Sequence, residues 1–171
     1  MADDRTVLDA DSLLAALVQH DVEFFVIGGL AVAVHGYPRA TKDLDIVPRP
    51  SAENLVRLIE VLGRLDATPH GVGDFKANEF PELTLETLVG GGNWCLATSF
   101  GRLDILQFVD GVFDTGVDFD SFWDRSITVE MPFGPVRVVG YDDLVEFKQA
   151  AGRPQDNTDL RALAEARSRR P

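Results

Sequence analysis

The segment Phe24 to Val47 reads FFVIGGLAVAVHGYPRATKDLDIV and carries two carboxylates, Asp43 and Asp45, in an apolar setting of Leu44, Ile46 and Val47. On a strand, alternate side chains share a face, so these two project together, roughly 7 Å apart along the chain. Unpaired buried carboxylates are costly, so either they lie at an exposed strand start or a cation holds them. Mg²⁺ is held by one or two protein carboxylates plus substrate phosphates, and this pair suits that arrangement. Upstream, Gly28-Gly29 opens a short helix, where backbone N–H groups and the helix dipole favour phosphate oxygens. The same glycines also serve a tight strand-to-helix turn, and alone they carry little weight. Asp104, in Leu103-Asp104-Ile105-Leu106, is a third carboxylate inside an apolar strand. With Asp43 and Asp45 it would complete a site for two metals, one activating an attacking hydroxyl and one clamping a triphosphate. The alternative is an ion pair from Asp104 to Arg102 or Arg39.

Elements must place these residues. The spacing of Leu13, Leu14, Leu17 and Val18 predicts a helix from about Asp11 to His20, capped by Asp11 or Ser12. Glu23 to Ile27 is a buried-type strand, Gly29 to His35 a short helix, and Leu44 to Val47 a strand stopped by Pro48 and Pro50. Ser51 caps a helix to about Leu65, with Leu55, Leu58, Ile59 and Leu62 on one face. Thr84 to Leu88 is read as a strand, and Gly90-Gly91-Gly92 as a turn. Trp94 to Thr98 and Leu103 to Phe108 form a hairpin around Ser99 to Arg102. Ile127 to Met131 and Val136 to Val139 are strands, followed by helices from Tyr141 to Ala151 and from Asp156 to about Ala166. The pattern predicts an α+β fold, an α/β sandwich with a mixed β-sheet and flanking helices. A core spans residues 1–140, and a C-terminal helical segment, 141–171, packs on it as one domain.

Composition sets outer bounds. The chain has 171 residues, 45% of them hydrophobic, enough for one packed domain. The longest apolar run is too short to span a bilayer, and MADDRT leads straight into an amphipathic segment with no signal peptide. One cysteine, Cys95, excludes an internal disulfide and fits a reducing cytosol, so a cytoplasmic protein is expected. The formal charge of −12 argues against holding nucleic acid by broad phosphate neutralisation. Asp110, Asp114, Asp118, Asp120 and Asp124 crowd the region after Asp104 and read mostly as solvated surface. Arg39, Lys42 and Arg49 offer a local basic strip; Arg39, Thr41 and Lys42, just before Asp43, either touch a nucleotide base or phosphate or are plain surface charge.

Other candidates are bland. His35 reads as a packed or capping histidine, and His20 and His70 have no zinc-site spacing. Cys95 reads as a core thiol with no base beside it. Gly90 to Gly92 lacks the Lys-Ser/Thr ending of a P-loop.

Gly28-Gly29, then Asp43-x-Asp45, then a later strand aspartate resembles the nucleotidyltransferase superfamily of the polymerase-beta type. The tail, Asp142-Asp143-Leu144 through Lys148 and then Ala151-Gly152-Arg153-Pro154-x-Asp156-x-x-Asp159-Leu160, is similar to the AbiEii/MenT group of nucleotidyltransferase toxins. The resemblance implies that Gly28 and Gly29 hold the β- and γ-phosphates of an NTP. It implies Mg²⁺ or Mn²⁺ on Asp43, Asp45 and Asp104, with Asp104 also the base toward the acceptor hydroxyl. Lys148 would pair with the triphosphate, and Asp156 or Asp159 would position that helix or the substrate. The implied acceptor is the 3′ end of a tRNA, in a toxin restrained by an antitoxin. Leu30 stands where the common pattern has serine, so a phosphate-binding hydroxyl is missing. Read from the residues alone, Lys148 pairs with Asp142 or Glu146, and Arg153 with Asp156, as ordinary ion pairs. A non-catalytic nucleotide-binding module, or transfer to a small molecule or protein, are the competing functions.

Overall fold

A computed structural model describes residues 6–71, 76–108 and 118–169. Asp110, Asp114 and Arg170 lie outside the described residues. The elements in chain order are α1 (Ala10–Gln19), β1 (Phe24–Ile27), α2 (Gly28–Val34), β2 (Asp43–Pro48), α3 (Ala52–Arg64) and β3 (Thr68–Pro69). A 3₁₀ turn (Ala77–Glu79) then leads to α4 (Leu85–Val89), β4 (Asn93–Thr98), β5 (Gly101–Leu106) and α5 (Phe119–Arg125). The chain closes with β6 (Ile127–Met131), β7 (Gly134–Val138), α6 (Tyr141–Ala151) and α7 (Pro154–Ser168).

The strands form one sheet in the order β3-β4-β5-β2-β1-β7-β6. β2 is its centre, antiparallel to β1 and parallel to β5, so backbone partners flank both sides of the strand carrying Asp43 and Asp45. The sheet is mixed: β1 also runs parallel to β7, and hairpins β4-β5 and β6-β7 are antiparallel. The α+β class expected from the residue pattern is the class observed.

Alternation assigns the two faces. Leu44, Ile46, Leu103 and Ile105 point one way, fully buried, into one core with Leu13 and Leu17 of α1 and Leu58, Val61 and Leu62 of α3. Asp43, Asp45 and Asp104 point the other way. Phe25 shares that second face and meets α5 through Phe119 and Phe122, at centroid distances of 5.3 and 6.3 Å. Phe122 meets Phe147 of α6 at 5.4 Å, so α5 backs the helix whose Leu144 and Phe147 line the cavity over the carboxylates.

Four local expectations need correction. The N-cap of α1 is Asp9, which accepts from the Ser12 N–H at 3.0 Å, because that bond satisfies an otherwise open helix donor. The expected strand Thr84 to Leu88 is instead the helix Leu85–Val89: its N-cap Thr84 and Thr87 form a reciprocal capping box, and this outweighs the β preference of threonine. The β4-β5 loop is only Ser99-Phe100, not Ser99 to Arg102. Asp118, Asp120 and Asp124 read as plain surface, whereas Phe119–Arg125 form α5 and bury Phe119. Asp118 caps α5, and Asp120 pairs with Arg49, which also holds Glu23 and lies 4.6 Å from the Phe119 ring centroid. His35 is buried and bonds the Val139 carbonyl through Nε2 at 2.7 Å, a packing role.

Candidate active site

Strand register lines up the chemistry. Ile27 of β1 lies opposite Asp45 of β2, Asp45 beside Asp104 of β5, and Asp104 opposite Cys95 of β4. The row thus crosses four neighbouring strands on one face. Asp43 sits two residues before Asp45, on the same face, and its Oδ1 accepts from Thr41 Oγ1 at 3.2 Å. Gly28 follows Ile27 directly with φ +68°, and any Cβ there would overlap the Asp45 carboxylate. Both conditions demand glycine.

Electrostatics separate these groups from ordinary surface acids. Burial, then repulsion from Asp43 and Asp104, raises Asp45 to about 7; Lys148 and Arg153 oppose the rise. Burial and the Asp43 charge raise Asp104 to about 6, against a Cys95 thiol hydrogen bond and the charges of Arg102 and Arg153. Cys95 is itself pushed up to about 12 by burial and then by Asp104, so it is a neutral thiol. Two adjacent carboxylates that resist ionising together are the donor chemistry a divalent cation relieves. Asp43, Asp45 and Asp104 therefore fit a hard cation by donor type and charge. Among the described residues, though, no three His, Cys, Asp or Glu side chains are already gathered closely enough to hold a metal ion.

The cations come from the other end of the chain. Lys148 of α6 is buried and bonds Asp156 Oδ1 at 2.7 Å and Asp159 Oδ2 at 2.9 Å. It therefore does not pair with Asp142 or Glu146: its partners lie on α7, beyond the Gly152 turn. Arg153 donates from Nε to Asp156 Oδ2 at 2.8 Å, while Arg39 grips Asp159 with Nε and Nη2 at 2.8 and 2.9 Å. Burial alone would raise Asp156 and Asp159. Hydrogen bonds from Arg153 and Lys148 to the first, and from Arg39, Lys148 and Gln155 to the second, hold both below the usual carboxylate range. The two aspartates are fully buried with their oxygens taken by cations. Of the two roles expected for them, positioning the helix or the substrate, the contacts show the first: both aspartates hold Lys148 of α6, and Asp156 also borders the cavity over the row.

A two-lobed cavity opens over the row. One lobe, about 400 Å³, is lined by Gly28, Gly29, Arg39, Thr41, Lys42, Asp43, Lys148 and Arg153 among others. The second, about 340 Å³, has Leu106, Phe108, Leu144, Phe147 and Ala151 as its apolar wall. Gly28, Asp45, Asp104, Lys148, Arg153 and Asp156 border both. The structure thus brings Gly28, Gly29, Arg39, Thr41, Lys42, Asp43, Asp45, Asp104, Lys148 and Asp156 to one cavity; Asp159 stands behind it. Reading residue types missed the apolar wall and the Cys95 contact, which depend on strand register and helix docking.

Solved structures share this architecture. The lincosamide antibiotic adenylyltransferase LnuA, with lincomycin bound, aligns at a TM-score of 0.62 and 15% identity over 94% of this chain and 98% of its own. The antibiotic-resistance factor ANT(2″)-Ia aligns at 0.55 and 12% identity, over 91% of this chain and 80% of its own. A Thermotoga maritima protein assigned as a nucleotidyltransferase aligns at 0.52 and 15% identity, over 94% and 97%. At such identities the likeness is one of fold. No curated protein matches the sequence. The family described as nucleotidyltransferase of unknown function (DUF6036) matches residues 5–166, and the chain belongs to that family.

Proposed function

We propose that this chain moves an NMP unit from an NTP to an acceptor hydroxyl and releases pyrophosphate. The observation that carries the reading is the Asp45–Asp104 pair, adjacent across β2 and β5 and abutting the glycine turn. Asp43, Asp45 and Asp104 would hold Mg²⁺ or Mn²⁺, which when bound supplies charge neutralisation at the phosphates. Gly28 and Gly29 would hold the β- and γ-phosphates, with Arg39, Lys42, Lys148 and Arg153 around the same lobe. Asp104, at the β5 side of the row, would also accept the acceptor's proton. Most of the rate then comes from positioning and from charge placed in advance.

Similarity to an adenylyltransferase favours ATP as the first NTP to try. A second reading of the acceptor follows from the AbiEii/MenT-like tail: a tRNA 3′ end, with an antitoxin as partner. The residues of that tail, Lys148, Arg153, Asp156 and Asp159, form one network in the structure.

The test is label transfer from each α-labelled NTP, with Mg²⁺, to mixed acceptors. Expected is transfer by the wild type and none by Asp43→Ala or Asp45→Ala. Transfer that survives both substitutions would remove the site, and no transfer by the wild type would remove the activity.

A further inference from the structure

We propose that the acceptor is a small hydroxyl compound with an apolar body and no phosphate, bound in the 340 Å³ lobe; this rests on the reading above. The argument begins with direction. In a phosphoryl-type displacement the attacking and leaving oxygens lie roughly in line through phosphorus. The phosphate-type features sit at the β1 end of the row, at Gly28 and Gly29, with Arg39 and Lys42 beside them. Pyrophosphate leaving toward that end requires attack from the opposite end, where β5 and β4 lie. Asp104 stands there, two residues before Leu106, and Leu106 is opposite Asn93 in the hairpin. Leu106 and Asn93 therefore continue the same face as a floor, and Leu144, Phe147 and Ala151 of α6 form a wall.

The chemistry of this lobe selects its occupant. Among the described residues its lining adds no Lys or Arg to Lys148 and Arg153, and both of these already hold Asp156. Asn93 is largely engaged as well: its Oδ1 accepts from the Gln107 and Phe108 N–H groups, and one Nδ2 hydrogen goes to the Phe108 carbonyl, leaving a single neutral donor. What remains is an apolar surface beside three carboxylates, Asp45, Asp104 and Asp156. Beyond the metal-binding row and the two cations held by Asp156, the described lining offers a polyanion nothing to pair with, on a chain of formal charge −12. The volume falls within the range of small-molecule sites. In the transfer, the acceptor O–H adds to the α-phosphorus and its proton passes to the Asp104 carboxylate. The bond from the α-phosphorus to the bridging oxygen breaks, and that oxygen departs with the pyrophosphate.

The experiment offers three acceptor pools to the full-length protein with α-labelled ATP and Mg²⁺: a small-molecule filtrate of cell extract, total tRNA, and casein. Expected is acid-soluble label that a reversed-phase column retains longer than ATP or AMP. Leu106→Trp, and Ala151→Trp at the exposed end of α6, should each raise the KM for the filtrate at least tenfold and leave the KM for ATP unchanged. Label precipitating with tRNA or casein overturns the proposal while leaving nucleotidyl transfer standing. So does a soluble adduct that the column does not retain, or a wild-type KM in both variants. Absence of pyrophosphate release with every pool removes nucleotidyl transfer itself and the proposal with it.

Discussion

Asp45 works against the stability of the fold that carries it. Its carboxyl is raised to about 7, and that of Asp104 to about 6, so the folded chain binds protons there that the unfolded chain has already released. The stability from these groups is complete below about pH 4 and is lost as pH rises through 6 and 7. Asp45→Asn should therefore stabilise the metal-free protein at pH 8, by roughly 1–3 kcal/mol, while lowering transfer at least ~10³-fold. Denaturant titrations at pH 5 and pH 8 check the first half, since the substitution should matter little at pH 5. Addition of Mg²⁺ at pH 8 should raise the Tm of the wild type and not that of Asp45→Asn. At Gly28 the argument is steric: Gly28→Ala meets both a positive φ and the Asp45 carboxylate. Transfer should fall below detection, and circular dichroism should show the sheet retained.

Among the elements, the α6–α7 corner decides where the cations stand. Gly152 closes α6 in the left-handed region at φ +60°, which lets α7 return so that Asp156 and Asp159 reach Lys148. Gly152→Ala should cost about 1 kcal/mol of stability by chemical denaturation and raise the KM for NTP more than it lowers kcat. Much of this framework was legible beforehand. The leucines of α1 and α3, the apolar stretches of β1 and β2, and the break at Gly152-Arg153-Pro154 carry their own periodicity and punctuation. The β4-β5 register was not legible in the same way. A loop from Ser99 to Arg102 would set Thr98 against Leu103 and Cys95 against Leu106. The actual Ser99-Phe100 loop puts Cys95 against Asp104 instead. Register depends on turn geometry, and a two-residue change moves every cross-strand partner. The partners of Lys148 were equally hidden. Composition showed a lysine on an acidic helix, whereas the Asp pair that holds it arrives only through tertiary docking.

For the whole molecule, two charge clusters respond oppositely to pH. Asp156 and Asp159 lie below the usual carboxylate range, so their contribution is present above about pH 4 and fades as acid protonates them. The Asp45–Asp104 row fades in the other direction, through neutrality. The metal-free protein should consequently be most stable in mildly acidic solution, between about pH 4 and 6, with Mg²⁺ moving that maximum toward neutral pH. Denaturation midpoints from pH 3 to 9, with EDTA and with Mg²⁺, give the two curves; a flat EDTA curve would contradict the assignment. No helix among the described residues is long and apolar enough to cross a membrane. Removing one member of the buried cation network is a separate test. Asp159→Asn leaves Arg39 and Lys148 short of a carboxylate and should cost about 3–5 kcal/mol.

Asp156 and Asp159 also have a consequence at a distance. Lys148 and Arg153 already act on Asp45 through their charge. Freed of the α7 carboxylates, Lys148 would turn its charge on Asp45, which shares the cavity border with it. The last helix serves as insulation: by occupying the lysine it keeps the anionic and cationic halves of the cleft apart.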